Sequence, residues 1–493
     1  MSDILLVNPL FLNQDPVEQR LVTPYFPLGL LYLAAVARDA GYDVAVFDAM
    51  FETSDDAFRA ALDAHQPKLV GIAALATVRV AALRLAGIAR GRGAIVVAGG
   101  ADPTGRPEAY VEGNGQGPVF DAVVVGEAER TFVELLARYK AAGWRRDVAL
   151  DNLPGLALPL AGGGLKRTGD APHQADLDAF PFPARDLVDL DRYQAEWRKA
   201  HGFSSLSVIA GRGCPYGCTW CQKSVFGRSY RMRSPESVAE EMRQIKARYN
   251  PDQVRVVDDV LGVDKRWLRR WHDALLANDA VVPFEALSRA DLVDDEMIRL
   301  LKAAGCRRLA FGAESGSQRV LDAMHKGTQV DQLYRTAEIC RKYGIETYFY
   351  IMLGYPGEQW EDIEATIRLL RETRPDEFSS TVAYPLPGTE FYEQVKDRLV
   401  AAGSAADWEH SAQNRLLFER AYSTRFYNWT QRLMRKEWLA ARVAADEVKL
   451  SPSSRVRLEA SRLAARAAVE ALRRQPRKAE LLPAGPPNVM GGA

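Results

Sequence analysis

Apolar and polar positions along the chain fall into two long series of alternating elements. In the first 145 residues, short and nearly continuous apolar runs occupy residues 4–8, 43–48, 69–74, 94–99 and 122–126. They are rich in β-branched side chains, as expected of strands buried on both faces. Between them, apolar residues recur at helical spacing over 28–40, 55–65, 79–90 and 129–142. Gly41, the pair Gln66-Pro67, and Gly91 with Gly93 follow the first three of these and stop them. Five such units predict an open parallel sheet with helices on both faces, a Rossmann- or flavodoxin-like α/β domain over residues 1–145.

Residues 146–203 read as a connector rich in Pro, Gly and Asp. Gly162-Gly163-Gly164 is its most flexible point and Phe180-Pro181-Phe182-Pro183 a rigid one. A second series then begins. Strands are expected at 206–210, 254–257, 284–288, 308–312, 347–353 and 378–384. Helices are expected at 235–248, 264–277, 294–304, 317–324, 330–343 and 361–372. Six strand-and-helix units, with polar residues where strands end, predict a (β/α)6 partial TIM barrel over 204–400. Residues 401–475 read as a helical C-terminal region. Its aromatic stripe (Trp408, Phe418, Tyr422, Phe426, Tyr427, Trp429, Trp438) either lines a cavity or packs a small helical cap, and the prevalence of aromatics in cores favours packing. Residues 476–493, with Pro483, Pro486 and Pro487 and a Gly-Gly-Ala end, read as a disordered tail.

The length of 493 residues allows two or three domains. Acidic and basic residues balance at 64 each, which disfavours nucleic acid and anionic membrane surfaces as partners. No stretch approaches the roughly 20 apolar residues of a membrane span. The opening residues pattern as a strand rather than as a charged segment with a cleavage site. Together with free thiols these features predict a cytoplasmic protein.

Chemistry concentrates in the cysteines. Of five, three fall in the run Cys214-Pro-Tyr-Gly-Cys218-Thr-Trp-Cys221, while Cys306 and Cys340 are expected near helix ends downstream. Clustered cysteines in a cytosolic chain are more often metal ligands than disulfides. Structural zinc usually takes four ligands as two paired half-sites. Here there is no second pair, and the nearest histidine, His201, lies upstream. Three thiolates with one position left open suit an iron–sulfur cluster, with zinc as the alternative.

The run is preceded by Gly211-Arg212-Gly213 and followed by Gln222-Lys223-Ser224-Val225-Phe226-Gly227. It resembles the cluster motif of the radical S-adenosylmethionine (radical SAM) superfamily. The resemblance implies that Cys214, Cys218 and Cys221 hold a 4Fe–4S cluster whose fourth iron is chelated by S-adenosylmethionine. An electron from the cluster would cleave the sulfonium to a 5′-deoxyadenosyl radical. It also implies that Glu314 and Ser315, after the fourth barrel strand, touch the ribose or methionyl part of S-adenosylmethionine. Ser288 and Arg289, after the third, would do the same, although Arg289 equally suits an ion pair with Asp291 or Glu314. The backbone of Tyr216 and Trp220 would lie near the adenine.

The first domain is similar to the cobalamin-binding domain that precedes the barrel in one class of these enzymes. The matching residues are Asn8-Pro9, Pro27-Leu28-Gly29-Leu30, Gly99-Gly100 and Val125-Gly126-Glu127-Ala128-Glu129. All lie at strand ends or helix starts on the edge where open α/β sheets bind ligands. One departure stands out. Many cobalamin proteins carry an Asp-x-His-x-x-Gly loop after the first strand, whereas residues 8–15 here contain no histidine. Asp63-Ala64-His65 imitates it only in part, since Lys68 replaces the glycine, so His65 reads as a helix-end residue. Cobalamin is therefore expected without a histidine from this loop; otherwise the domain only shapes the site. The whole resemblance implies a cobalamin-dependent radical SAM methyltransferase acting on an unactivated carbon of a small molecule. Flavodoxin or ferredoxin would supply electrons, and Asp258, Asp259, Tyr350 and Tyr384 would handle substrate or protons. The alternatives are an oxidative, ring-forming cyclase of the same family and, in another class, a non-catalytic corrinoid or cluster carrier. A methylthiotransferase is disfavoured because no cysteine precedes Cys214.

Overall fold

The computed structural model describes residues 2–15, 18–112, 119–399 and 418–474. The expectations for Trp408 and for the tail at 476–493 lie outside the described residues. In the first domain, β1 (Ile4–Asn8), β2 (Val44–Asp48), β3 (Leu69–Ala73), β4 (Ile95–Gly99) and β5 (Ala122–Val124) are parallel in the order β2-β1-β3-β4-β5. Alternate residues serve opposite faces: Leu5 and Val7 enter one core, Ile4 and Leu6 the other. Helices therefore cover both faces, and the strands are apolar up to the polar ends Asn8 and Asp48.

The connector does more than connect. β6 (Leu156–Pro159) and β7 (Leu165–Arg167) extend the same sheet antiparallel to β5, giving seven strands. The Gly162–Gly164 stretch is the turn between them, closed by Leu160 N–H to Gly164 O at 3.1 Å. The helix Leu190–His201 follows, started by Asp189, whose side chain accepts from Arg192 N–H, and stopped at Gly202 in the left-handed region.

The second sheet comprises β8 (Ser205–Val208), β11 (Gln253–Val256), β12 (Phe284–Ser288), β13 (Cys306–Glu314), β14 (Glu346–Leu353) and β15 (Glu377–Val382), preceded in part by a small antiparallel pair, β9 (Gly211–Arg212) and β10 (Arg231–Met232). The six strands are ordered β15-β14-β13-β12-β11-β8, so each crossover moves to the adjacent position. This is the (β/α)6 partial barrel. Val254, Val256, Phe284, Leu309, Phe311, Phe349 and Ile351 enter the core beneath the helices. Arg255, Glu285, Arg308, Tyr348 and Tyr350 alternate with them and so line the opposite, concave face. Cys306 opens β13 instead of lying at a helix end, because the helix stops at Ala303 and Gly305 turns through φ 100°.

Two features tie the connector and cap to the barrel. The buried Glu241 accepts from both Arg185 of the connector and Arg233 just after β10. The helices Thr424–Ala444 and Pro452–Arg473 pack together, the former against Trp360–Thr373. Phe426 and Tyr427 are fully buried in the barrel's core, and Phe418 packs with Tyr355 and Phe391, so these aromatics pack rather than line a cavity. No helix among the described residues is long and apolar enough to cross a membrane.

Candidate active site

The cysteine loop runs between β9 and β10, whose antiparallel pairing sets Arg212 opposite Arg231 and closes residues 213–230 into a loop. Gly213 makes that closure possible. Its φ is +83°, and a Cβ there would collide with the carbonyl oxygen of Ser229. The strand before the loop is held by two aspartates from the end of β11. Asp258 Oδ1 accepts from Ala210 N–H at 2.7 Å, and Asp259 Oδ2 accepts from Gly213 N–H at 3.1 Å. Asp258 is buried and its Oδ2 has no hydrogen-bond partner. Burial pushes its carboxyl up to about 7. Asp259 is exposed, with burial of the carboxyl group itself raising it as well.

Cys214 and Cys218 are half-buried, Cys221 is exposed, and all are free thiols. Burial raises the half-buried Cys214 thiol; nearby Lys223 opposes the shift, while Cys218 and Asp259 reinforce it. Cations surround the loop. Lys223 Nζ donates to the Tyr216 carbonyl. The Arg289 guanidinium lies 3.6 Å from the centroid of the Tyr216 ring and 3.8 Å from Cys218 Sγ. A cluster held by three thiolates is anionic, so this donor set and its surroundings fit it. Among the described residues no three Cys, His, Asp or Glu side chains close on one point, as a single tetrahedral ion requires.

The other loops at the strand ends converge on this one. Ser288 Oγ donates to Leu261 O at 2.8 Å. Arg289 pairs with Asp291 at 2.9 Å and donates to Lys326 O at 2.7 Å, so the ion pair with Asp291 is formed. Glu314 takes φ +60° at a register shift in β13. Its carboxyl is raised by burial against the opposing pull of Lys326, whose Nζ is 3.4 Å away. That pair lies over bare backbone: a Cβ on Gly312 would come within 2.7 Å of Lys326 Nζ. Lys326 Nζ is also 5.3 Å from the Trp220 ring centroid. Ser315 is turned to the helix behind it, with its Oγ 3.1 Å from Thr366 Oγ1. Tyr350 stands on the concave face with its ring 4.8 Å from that of Tyr348, and Tyr384 is exposed just past β15.

On the first sheet the ends of the strands form a second edge. Asn8 Nδ2 donates to Asp48 Oδ1 at 2.8 Å, next to Pro9. Nothing lies within 4 Å of where a Cβ on Gly29 or Gly99 would sit. Gly100 turns with φ +109° and passes so close to Ala74 that a Cβ would lie 2.6 Å from its carbonyl oxygen, so only glycine fits there. Gly126 N–H donates to Thr104 Oγ1 at 3.0 Å, and Leu75 is exposed nearby, after β3. Open backbone beside an apolar side chain fits a large, partly apolar ring such as that of cobalamin, on the edge where such sheets bind ligands. This edge faces the cysteine loop. Ser224 Oγ donates to Ala101 O at 3.2 Å, and Gln222 Nε2 donates to Pro387 O at 3.4 Å beside Gly105.

Glu127 stands apart from that open edge. Its carboxylate accepts from Arg212 and from Arg231 Nη1 at 2.8 Å, with His173 Nδ1 at 3.3 Å. Burial alone would raise its pKa, but the two guanidiniums outweigh burial and hold it below the usual carboxylate range. Sequence reasoning placed Glu127 against a cofactor and missed both arginines as its partners. The only local signal was their position flanking the cysteine run. Lys326 was missed too, since nothing in its neighbourhood marks it.

The Radical SAM superfamily model matches residues 208–370, and the B12 binding domain model matches residues 19–136. An uncharacterised methyltransferase of Pyrococcus horikoshii is 30% identical over 395 residues, covering 79% of this chain and 82% of that protein. The anaerobic magnesium-protoporphyrin IX monomethyl ester cyclase of Rubrivivax gelatinosus is 25% identical, over 76% of this chain and 67% of the cyclase. Among solved structures, the radical S-adenosylmethionine methyltransferase TsrM from Kitasatospora setae, with cobalamin and a [4Fe-4S] cluster bound, superposes with TM-score 0.69. Its identity is 21%, over 85% of this chain and 87% of TsrM, which extends the shared fold to both domains.

Proposed function

Because the chain belongs to the radical SAM superfamily, with a B12 binding domain ahead of its barrel, we propose that it is a cobalamin-dependent methyltransferase acting at an unactivated carbon of a small molecule. The observation that carries this reading is the direct contact of the first sheet's open edge with the cysteine loop, through Ser224 on Ala101 and Gln222 beside Gly105. When bound there, the cluster with S-adenosylmethionine supplies a 5′-deoxyadenosyl radical that removes a substrate hydrogen, and cobalamin supplies the methyl group.

The chain's own residues bind, orient and enclose. Cys214, Cys218 and Cys221 would each ligate an iron, and the Arg289 guanidinium beside Cys218 would offset the negative charge of the ligated cluster. Glu314, with Lys326 against it, offers hydrogen-bonding groups to S-adenosylmethionine at the mouth of the barrel. Ser288 and Asp258 hold backbone, so their contribution is to keep that mouth in shape. Tyr350 within the concave face and Tyr384 at its rim border the space left for substrate. Single electrons from flavodoxin or ferredoxin and a cytoplasmic setting complete the reading. The Pyrococcus methyltransferase supports methyl transfer, and the Rubrivivax cyclase favours one second reading, oxidative ring formation on the same scaffold.

The test is anaerobic reconstitution with iron, sulfide and hydroxocobalamin, followed by metal analysis and a spectrum of the desalted protein. The expected result is about four irons, as a [4Fe–4S] cluster holds, and about one cobalt per chain. Iron without cobalt would refute the role given to the first domain.

A further inference from the structure

The two domains meet at a buried group of charges that neither cofactor site requires. Arg212 lies on β9 directly ahead of the cysteine loop and Arg231 on β10 directly after it. They are cross-strand partners in the two-stranded pair that closes the loop. Like charges directly opposite one another destabilise such a pairing, and here both are taken out of water. The carboxylate that reconciles them comes from the other domain. Glu127 Oε1 accepts from Arg212 and Glu127 Oε2 from Arg231 Nη1 at 2.8 Å. Glu129 takes the other Arg212 nitrogen at 2.6 Å. The Arg212 guanidinium is also surrounded by rings, 5.5 Å from the centroid of Tyr32, 5.2 Å from Phe180 and 5.1 Å from Phe226.

We propose that Glu127 is a positioning residue that makes closure of the cysteine loop conditional on docking of the B12 binding domain. Resting on the reading above, it thereby holds the cluster at one fixed distance from cobalt. One carboxylate grips both ends of the loop. Gly126 beside it lies at the open edge, where a Cβ would come within 3.8 Å of Val225 O in the same loop. Loss of the carboxylate leaves Arg212 to Glu129 alone and Arg231 to the neutral Gln174 carbonyl, so no anion is shared between the two opposed, buried guanidiniums, and the loop relieves them by separating its ends. Removing one of the two cations as well relieves the same repulsion without the carboxylate.

The test uses the full chain carrying both cofactors, with the cluster reduced and cobalt as cob(II)alamin, so that each bears an unpaired electron. Pulsed electron paramagnetic resonance then reads the dipolar coupling between them at matched iron and cobalt content. A single narrow coupling is expected in the unaltered protein, a broad distribution in Glu127→Gln, and recovery of a narrow coupling in the double variant Glu127→Gln, Arg231→Gln. A residue that merely supported local packing would not be rescued by a second substitution. A Glu127→Gln protein with the unaltered narrow coupling would overturn the proposal. So would a double variant no narrower than the single one. Absence of cobalt from the unaltered protein would instead sink the cofactor reading on which the proposal rests.

Discussion

Substituting Asp258 by asparagine should stabilise the protein at alkaline pH, by an amount the structure sets. The carboxyl is buried, accepts from the Ala210 amide, and has one oxygen with no partner. Burial moves its pKa from 3.8 to about 7. The folded chain therefore holds this proton more tightly than the unfolded chain, and its stability falls as pH rises from 3.8 through 7. At 1.36 kcal/mol per unit the raised pKa costs the fold about 4 kcal/mol at pH 8, where the buried group is ionised, and about 3 kcal/mol at pH 6, where folding must instead protonate it. Asparagine keeps the acceptor for Ala210 N–H and carries no charge. Its amide nitrogen would sit where no acceptor lies, a penalty of about 1–3 kcal/mol. The net expectation is a gain of about 1–3 kcal/mol at pH 8, shrinking by about 1.4 kcal/mol at pH 6. For a unit the size of this barrel, that difference between pH values corresponds to ~3–5 °C in Tm. Anaerobic thermal unfolding of both proteins at the two pH values, at equal iron content, measures it. A variant less stable than its parent at pH 8, or one whose advantage is the same at both pH values, would refute the reasoning.

Three further outcomes follow from the same geometry. Cys218→Ala should abolish stable cluster retention, leaving iron well below the parent's content after reconstitution, with the far-ultraviolet circular dichroism unchanged. Gly213→Ala should leave the sheets intact yet reduce iron retention, because its methyl group collides with Ser229 O where the loop closes; equal iron content in both proteins would contradict this. Glu241→Gln should destabilise the barrel by about 3–5 kcal/mol, since it strips the charge that Arg185 and Arg233 share in the interior, and urea unfolding reads that loss directly.

The fold was legible wherever apolar periodicity was strong. β1, β12 and the helix Val330–Tyr343 occupy the expected residues, and β2 and β4 each begin one residue later than expected. β6 and β7 were hidden, because four and three residues with Pro159, Lys166 and Arg167 carry no pattern of alternation. Cys306 was misplaced because its helix and strand are separated only by the turn at Gly305. Within the candidate site, the cysteine loop could be read because its ligands are neighbours in the chain. Glu127 could not be read from its surroundings, since Arg212 and Arg231 approach it only once two domains have docked. The same limit applies to Asp258. Its place at the end of a strand pointed to chemistry, whereas its Oδ1 supports the backbone of the adjacent strand.

The hairpin from the connector has a consequence for the chain before its cofactors arrive. A parallel sheet ending at β5 would present a flat, apolar border with unpaired amides, a template for another copy. β6 covers that border, and β7 ends the sheet with Leu165-Lys166-Arg167, of which Lys166 and Arg167 are exposed. A second molecule adding a strand there would meet Arg167 and the Lys166–Asp151 ion pair at the outermost position. This border of the sheet is therefore closed to strand addition by another copy before iron, sulfide and corrinoid are bound as well as after.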